Sequence, residues 1–258
     1  MKRILGLGLL SLAILLTQNI TFASSSTDSL TLLINSKDLD IKRDAFQNIA
    51  RNGEMYSDEM LSRLTMYSKS RAGNIDELNT LIYLAAVVKD KRFLGPLWEM
   101  LLDDEYLVDE CLYECPIIFS LSVYAIAADW NPPEKLNGPN IKVDDFYREY
   151  RSLSSLSLRK DHAYNHIYGP GINEQLKQVS NLSEEDIVKQ AGPQNLDSKS
   201  RYAAAYELEY SVVDDKNLVD LYWLAINETV GASREYRSAI YRAILRAEKS
   251  ITLSNVGP

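Results

Sequence analysis

Apolar side chains recur at intervals of three and four along most of this chain, and short polar corners separate the recurrences. The plainest case is the stretch from Asp76 to Asp104. In DELNTLIYLAAVV, Leu78, Leu81, Ile82, Ala85 and Val88 fall on one face of a helix. KDKR then turns the chain, and FLGPLWEMLLDD repeats the pattern with Phe93, Leu94, Leu97, Trp98 and Leu101. Pro96 is tolerated because it lies in the opening turns of the second helix. Neither helix covers its stripe alone, so other helices must pack on both.

The same rhythm predicts the rest. A short lead-in helix covers Leu30 to Asn35. The next runs from Leu39 to Asn52 with Ala45, Phe46, Ile49 and Ala50 inward and Gly53 as its stop. Ser57, Asp58 and Glu59 open another, with Leu61, Leu64 and Tyr67 inward, and Asn74 caps the pair described above. From Tyr106 to Ala128 the chain is apolar nearly all round, with Ile117, Ile118, Leu121, Tyr124 and Ala125 on one side, which predicts a helix buried on several sides. NPPEKLNGPN, Asn131 to Asn140, breaks the pattern, and Gly169, Pro170 and Gly171 break it again. A short helix starts at Ser183 and ends at Gly192 and Pro193. The block from Ser198 to Ser250 returns to helices, with Tyr202, Ala205 and Leu208, then Leu218, Val219, Tyr222 and Ile226, then Tyr236, Ala239, Ile240, Ala243 and Ala247 inward. Thr252 to Pro258 reads as a disordered tail.

Two of these segments resemble each other. Shifted by about 125 residues, VVKDKRFLGPLWEML and VVDDKNLVDLYWLAI agree at Val87 with Val212, Val88 with Val213, Asp90 with Asp215, Lys91 with Lys216 and Trp98 with Trp223. Together with the pattern of Arg43, Ala45, Phe46, Ile49, Ala50 and Gly53, they make the chain similar to the HEAT repeat family. The resemblance implies an all-α chain, an α-solenoid of antiparallel helix pairs with an irregular middle segment. It also implies that the second helix of each pair supplies the contact wall, here the outer faces of Ser57 to Ser68, Arg92 to Asp103 and Lys216 to Glu228. The expected organisation is a leader over 1–23, N-terminal repeats over 24–130, an irregular insert over 131–192 and C-terminal repeats over 193–258.

The leader reads as a secretory signal peptide. Lys2 and Arg3 precede an apolar run from Ile4 to Leu16, and Thr21 and Ala23 are the small residues before a cut near Ala23. The run is shorter than the roughly 20 residues that span a bilayer, and no second one follows, so stable membrane insertion after cleavage is not expected. A periplasmic or secreted location follows from this reading. The formal net charge is −8, and cleavage would remove two more cations. Such acidity repels phosphate backbones, which argues against nucleic acid.

Chemistry-bearing patterns are sparse. Cys111 and Cys115 lie four apart in CLYECP. An oxidising compartment favours a disulfide between them, while regular helix geometry holds their β-carbons too far apart, so a local bridge and two buried thiols both stand. The two histidines, His162 and His166, sit four apart with Asp161 beside them, one helix face if the segment is helical. That cluster is the basis of the alternative function, a metal-binding protein or metal-dependent hydrolase. A third firm ligand is missing, so no metal site is assigned; no GxSxG, HExxH or glycine-rich phosphate loop occurs, and no catalytic residue or cofactor is expected. Tyrosine outnumbers phenylalanine 16 to 5, which favours half-wet contact surfaces. Tyr202, Tyr206 and Tyr210 form a stripe that either packs on a neighbouring helix or faces a partner. The leading expectation is an exported, non-enzymatic helical-repeat protein that binds a protein or peptide, as a scaffold or as an inhibitor or immunity protein, with its binding residues unassigned.

Overall fold

The computed structural model describes residues 29–70, 74–102, 116–128, 130, 173–195, 197–210, 215–227 and 234–256. Every regular element among these residues is helical, so the chain is all-α there. The helices are α1 (29–35), α2 (Leu39–Arg51), α3 (Ser57–Ser70), α4 (Ile75–Val88), α5 (Leu94–Leu102), α6 (Pro116–Ala127), α7 (Asn173–Val179), α8 (Glu184–Ala191), α9 (Ser198–Tyr210), α10 (Asp215–Asn227) and α11 (Arg234–Val256). Short 3-10 turns occupy Gly53–Met55 and Lys91–Phe93.

Local chemistry sets the starts. The Asp38 side chain accepts from the backbone amides of Asp40 and Ile41, Asn74 from Asp76, and Ser183 from Asp186, each satisfying a donor that a helix N-terminus leaves open. α6 begins at Pro116, whose missing N–H costs nothing at that position. The tail departs from expectation. α11 runs on to Val256 instead of dissolving at Thr252, whose hydroxyl donates to the carbonyl of Glu248 at 2.8 Å.

The chain divides into two compact units, 1–59 and 60–258, with the boundary inside α3. In the first, Leu30, Leu33, Ala45, Phe46, Ile49 and Tyr56 are buried. The Asn48 amide donates to the hydroxyls of Ser29 and Tyr56 at 2.9 Å each, joining α1, α2 and the turn after it.

The second unit is built on a ring of four helices, α4 against α6, α6 against α11, α11 against α10 and α10 against α4. Around it α5 lies on α6, α9 on α11, α8 on both α9 and α10, and α7 on α9. Small side chains permit the close approaches. Ala203, Ala204 and Ala205 are buried on α9, and Ala239, Ala243 and Ala247 are buried at four-residue spacing on α11. Cross-links fix directions. The Ser120 hydroxyl donates to the Ile82 carbonyl and the Tyr124 hydroxyl to that of Ala85, both at 2.9 Å, so α4 and α6 run the same way. Tyr83 meets Tyr241 and Lys89 meets Glu248, so α11 is parallel to α4. Arg201 and Tyr202 meet Tyr236 while Glu209 meets Arg242, so α9 is parallel to α11. Helices expected in separate N-terminal and C-terminal blocks thus share one ring.

Each ring helix contributes one aromatic side chain to the centre. Phe119 of α6 stacks on Tyr241 of α11 at 4.5 Å between ring centroids, and touches Tyr83 of α4 at 5.9 Å and Tyr222 of α10 at 6.2 Å. The hydroxyls of Tyr83 and Tyr241 hydrogen-bond to each other, which satisfies two polar groups inside the core.

Candidate functional site

The inward faces read from periodicity are largely in place. Leu78, Leu81, Ile82 and Ala85 are buried, as are Phe93, Leu97 and Leu101, while Trp98 is half-buried edge-on to Trp130 at 5.8 Å. Trp223, which the expected repeat pairs with Trp98, is buried. α6 is buried from Ile117 through Tyr124, as an apolar-all-round helix requires. Of the tyrosine stripe, Tyr206 is buried and Tyr202 leans on Tyr236 at 6.1 Å; the side chain of Tyr210 lies outside the described residues. Cys111, Cys115, Asp161, His162 and His166 also lie outside them, as does the whole of 1–28.

The expected contact wall divides. α3 exposes Asp58, Ser62, Met66 and Lys69, and the segment opening α5 exposes Arg92, Gly95 and Glu99. The described part of the third face is covered. Leu218 and Leu221 to Ile226 are buried, because α10 is a member of the ring and is held by α4, α8 and α11.

Among the described residues of the second unit, a network of polar groups gathers where α4 ends. Lys89 takes a left-handed conformation, φ 58° and ψ 28°, and its amide donates back to the Ala85 carbonyl. Its Nζ lies 2.7 Å from Glu248 Oε1 and 5.9 Å from the centroid of the Tyr222 ring. The Tyr222 hydroxyl donates to the same Glu248 oxygen at 2.7 Å. Glu248 is only 3% exposed, so its charge is compensated by a cation and a phenol together. Burial, followed by the neighbouring Glu248 charge, holds the Tyr222 hydroxyl well above its ordinary range, so it stays a donor. Next to it the Tyr124 hydroxyl reaches both the Ala85 and Asp90 carbonyls at 2.9 Å, and burial raises its ionisation in the same way. Asp90 receives the Arg92 guanidinium at 2.6 Å and the Arg92 amide at 2.9 Å, which starts the 3-10 turn.

A second buried carboxylate joins α9 to α11. Glu209 accepts from Arg242 at 3.0 Å, and Arg242 also donates to Ser238 at 2.7 Å. Desolvation raises the Glu209 ionisation above its ordinary value, against the pull of Arg242 and Arg246. Sequence reasoning passed over both carboxylates. The signal was present for Glu248, since it lies seven residues after Tyr241 and four after Ile244 on an otherwise apolar arc of α11.

Chemically these networks hold helices together; each hydroxyl donates to a carbonyl or carboxylate inside the protein. The surface offers different material. Among the described residues, seven large apolar side chains are exposed, and six of them, Leu32, Leu39, Ile41, Met55, Met66 and Ile75, belong to the stretch before α4 or to its first residue. Compared with known proteins, the chain matches no protein-family model, no curated protein and no solved structure.

Proposed function

We propose that this chain is an exported, non-enzymatic helical-repeat protein that binds a protein or peptide partner through its N-terminal helices. The observation that carries the proposal is the group of exposed apolar side chains in the first unit, Leu32, Leu39, Ile41 and Met55, with Leu39 at 50% exposure. Isolated exposed apolar residues are ordinary, but their confinement to one part of a chain points to a contact surface. Leu32, Leu39 and Ile41 bracket the corner between α1 and α2 in the first unit.

HEAT-like construction is part of the proposal. Its support is that α4 and α6 run in one direction with α5 between them in sequence, as α9 and α11 do with α10 between them. The closure of α4 against α10 distinguishes it from an open stack, in which each unit meets only its neighbours in sequence. The reading is therefore of helix pairs folded back on themselves.

Export rests on the leader sequence, and N-terminal sequencing of protein recovered outside the cytoplasm should give a first residue near Ser24. Partner binding is tested by capture from that fraction with Leu39→Asp and Ile41→Asp compared to the unsubstituted chain. Both side chains are exposed, so thermal stability should stay within about 0.5 kcal/mol while the captured protein is lost. Equal capture by the substituted chain would refute this surface.

A further inference from the structure

We infer that the corner between α4 and α5 is a clamped element, held shut by the C-terminal helix through Lys89 and able to open while the rest of the ring stays folded. Three observations meet there. Lys89 is the one non-glycine residue with positive φ among the described residues, a conformation that a side chain normally resists. A plain helix end would place glycine or asparagine at this point. Here the lysine is kept in that conformation with its amine led inward to Glu248 at 2.7 Å, a carboxylate 159 positions along the chain and almost fully buried.

The second observation is how the corner is tied. Carbonyls at Ala85, Ala86 and Asp90 are reached by hydroxyls from α6 and α10, at 2.9 Å from Tyr124 and 3.5 Å from Tyr222. These bonds come from helices outside the corner and add to those its own residues make, the Lys89 amide to the Ala85 carbonyl and Arg92 to Asp90. Third, the tie is separable from the ring's apolar centre. Phe119, Tyr83, Tyr222 and Tyr241 pack ring on ring, and of these four Tyr222 joins the tie, through its hydroxyl on Glu248 and its ring beneath Lys89 Nζ. Glu248 is almost fully buried while the Lys89 side chain keeps 29% exposure, so removing the lysine leaves a buried carboxylate without its cation. The pair's work here is to fix where α5 leaves the ring.

Amide hydrogen exchange on the mature protein tests this, with Lys89→Gly and Glu248→Gln compared to the unsubstituted chain. Glycine accepts the left-handed backbone, so Lys89→Gly removes the amine and leaves the turn permissible. Both variants should accelerate exchange at the amides of residues 89 to 94 by about tenfold or more, with α6 and α9 amides unchanged. Unchanged exchange at the corner would overturn the inference. A uniform rise over α6, α9 and the corner, or failure of either variant to fold, would overturn it too, because the tie would then belong to the core as a whole.

Discussion

Phe119 is the point at which the four-helix ring is most exposed to test. It is 3% exposed and touches an aromatic ring from each of the other three ring helices, at centroid distances of 4.5, 5.9 and 6.2 Å. Phe119→Ala removes the ring and leaves a cavity that three helices held at fixed separations cannot collapse, which places the cost at about 4–5 kcal/mol. Phe119→Leu keeps most of the volume and loses only the ring-to-ring attraction, about 1–2 kcal/mol. For a chain of this size the first corresponds to a fall in Tm of roughly 10–15 °C. Urea titration of the protein followed by far-ultraviolet circular dichroism measures both, with the slope unchanged between variants. An alanine variant costing under about 2 kcal/mol, or a leucine variant as costly as alanine, would mean that the side chain is not central and that the ring does not close around it.

Other substitutions follow from the same contacts. Tyr83→Phe and Tyr241→Phe should each cost about 1 kcal/mol, and the double variant less than their sum, because the second removal deletes a hydroxyl already deprived of its partner; a double-mutant cycle in urea reads this. Asp38→Ala should lower stability by about 1 kcal/mol through loss of the two amide bonds that open α2, seen as a shifted denaturation midpoint. Glu209 gives a pH signature. Its folded-state ionisation lies above the ordinary 4.5, so the folded protein holds that proton more tightly, and its contribution is fully present below 4.5 and lost as pH rises through the folded value. Stability of Glu209→Gln relative to the unsubstituted chain should therefore improve on going from acid to neutral pH, and a difference independent of pH would contradict the burial argument.

Periodicity made the helices and most of their inward faces legible, because a stripe of Leu78, Leu81, Ile82 and Ala85 can be buried only one way. Caps at Asn74 and Ser183 were legible for a similar local reason. The order in which helices meet was not, since α11 settles against α6, and α10 against α4, through side-chain fit between residues more than 100 positions apart. Burial of α10 illustrates the consequence. Its sequence resembles that of α5, which keeps an outer face, but its place in the ring covers nearly every described side chain. The polar ties were equally hidden, because Lys89 and Glu248 each look like surface charges until the fold brings them together. At the tail, the polar run from Thr252 predicts disorder, whereas the helix continues to Val256, with the Thr252 hydroxyl donating to the Glu248 carbonyl.

The account stands on the N-terminal helices being the surface that meets a partner. Site-specific photo-crosslinking in producing cells measures this directly, with a photoreactive residue placed in turn at Leu32, Leu39 and Ile41 of the first unit and, as controls, at the exposed polar positions Gln178 and Lys199. A discrete adduct of one mass from the three apolar positions, absent from the two controls, is the predicted result. No adduct from any of the three, or the same adduct from Gln178 and Lys199, would contradict it.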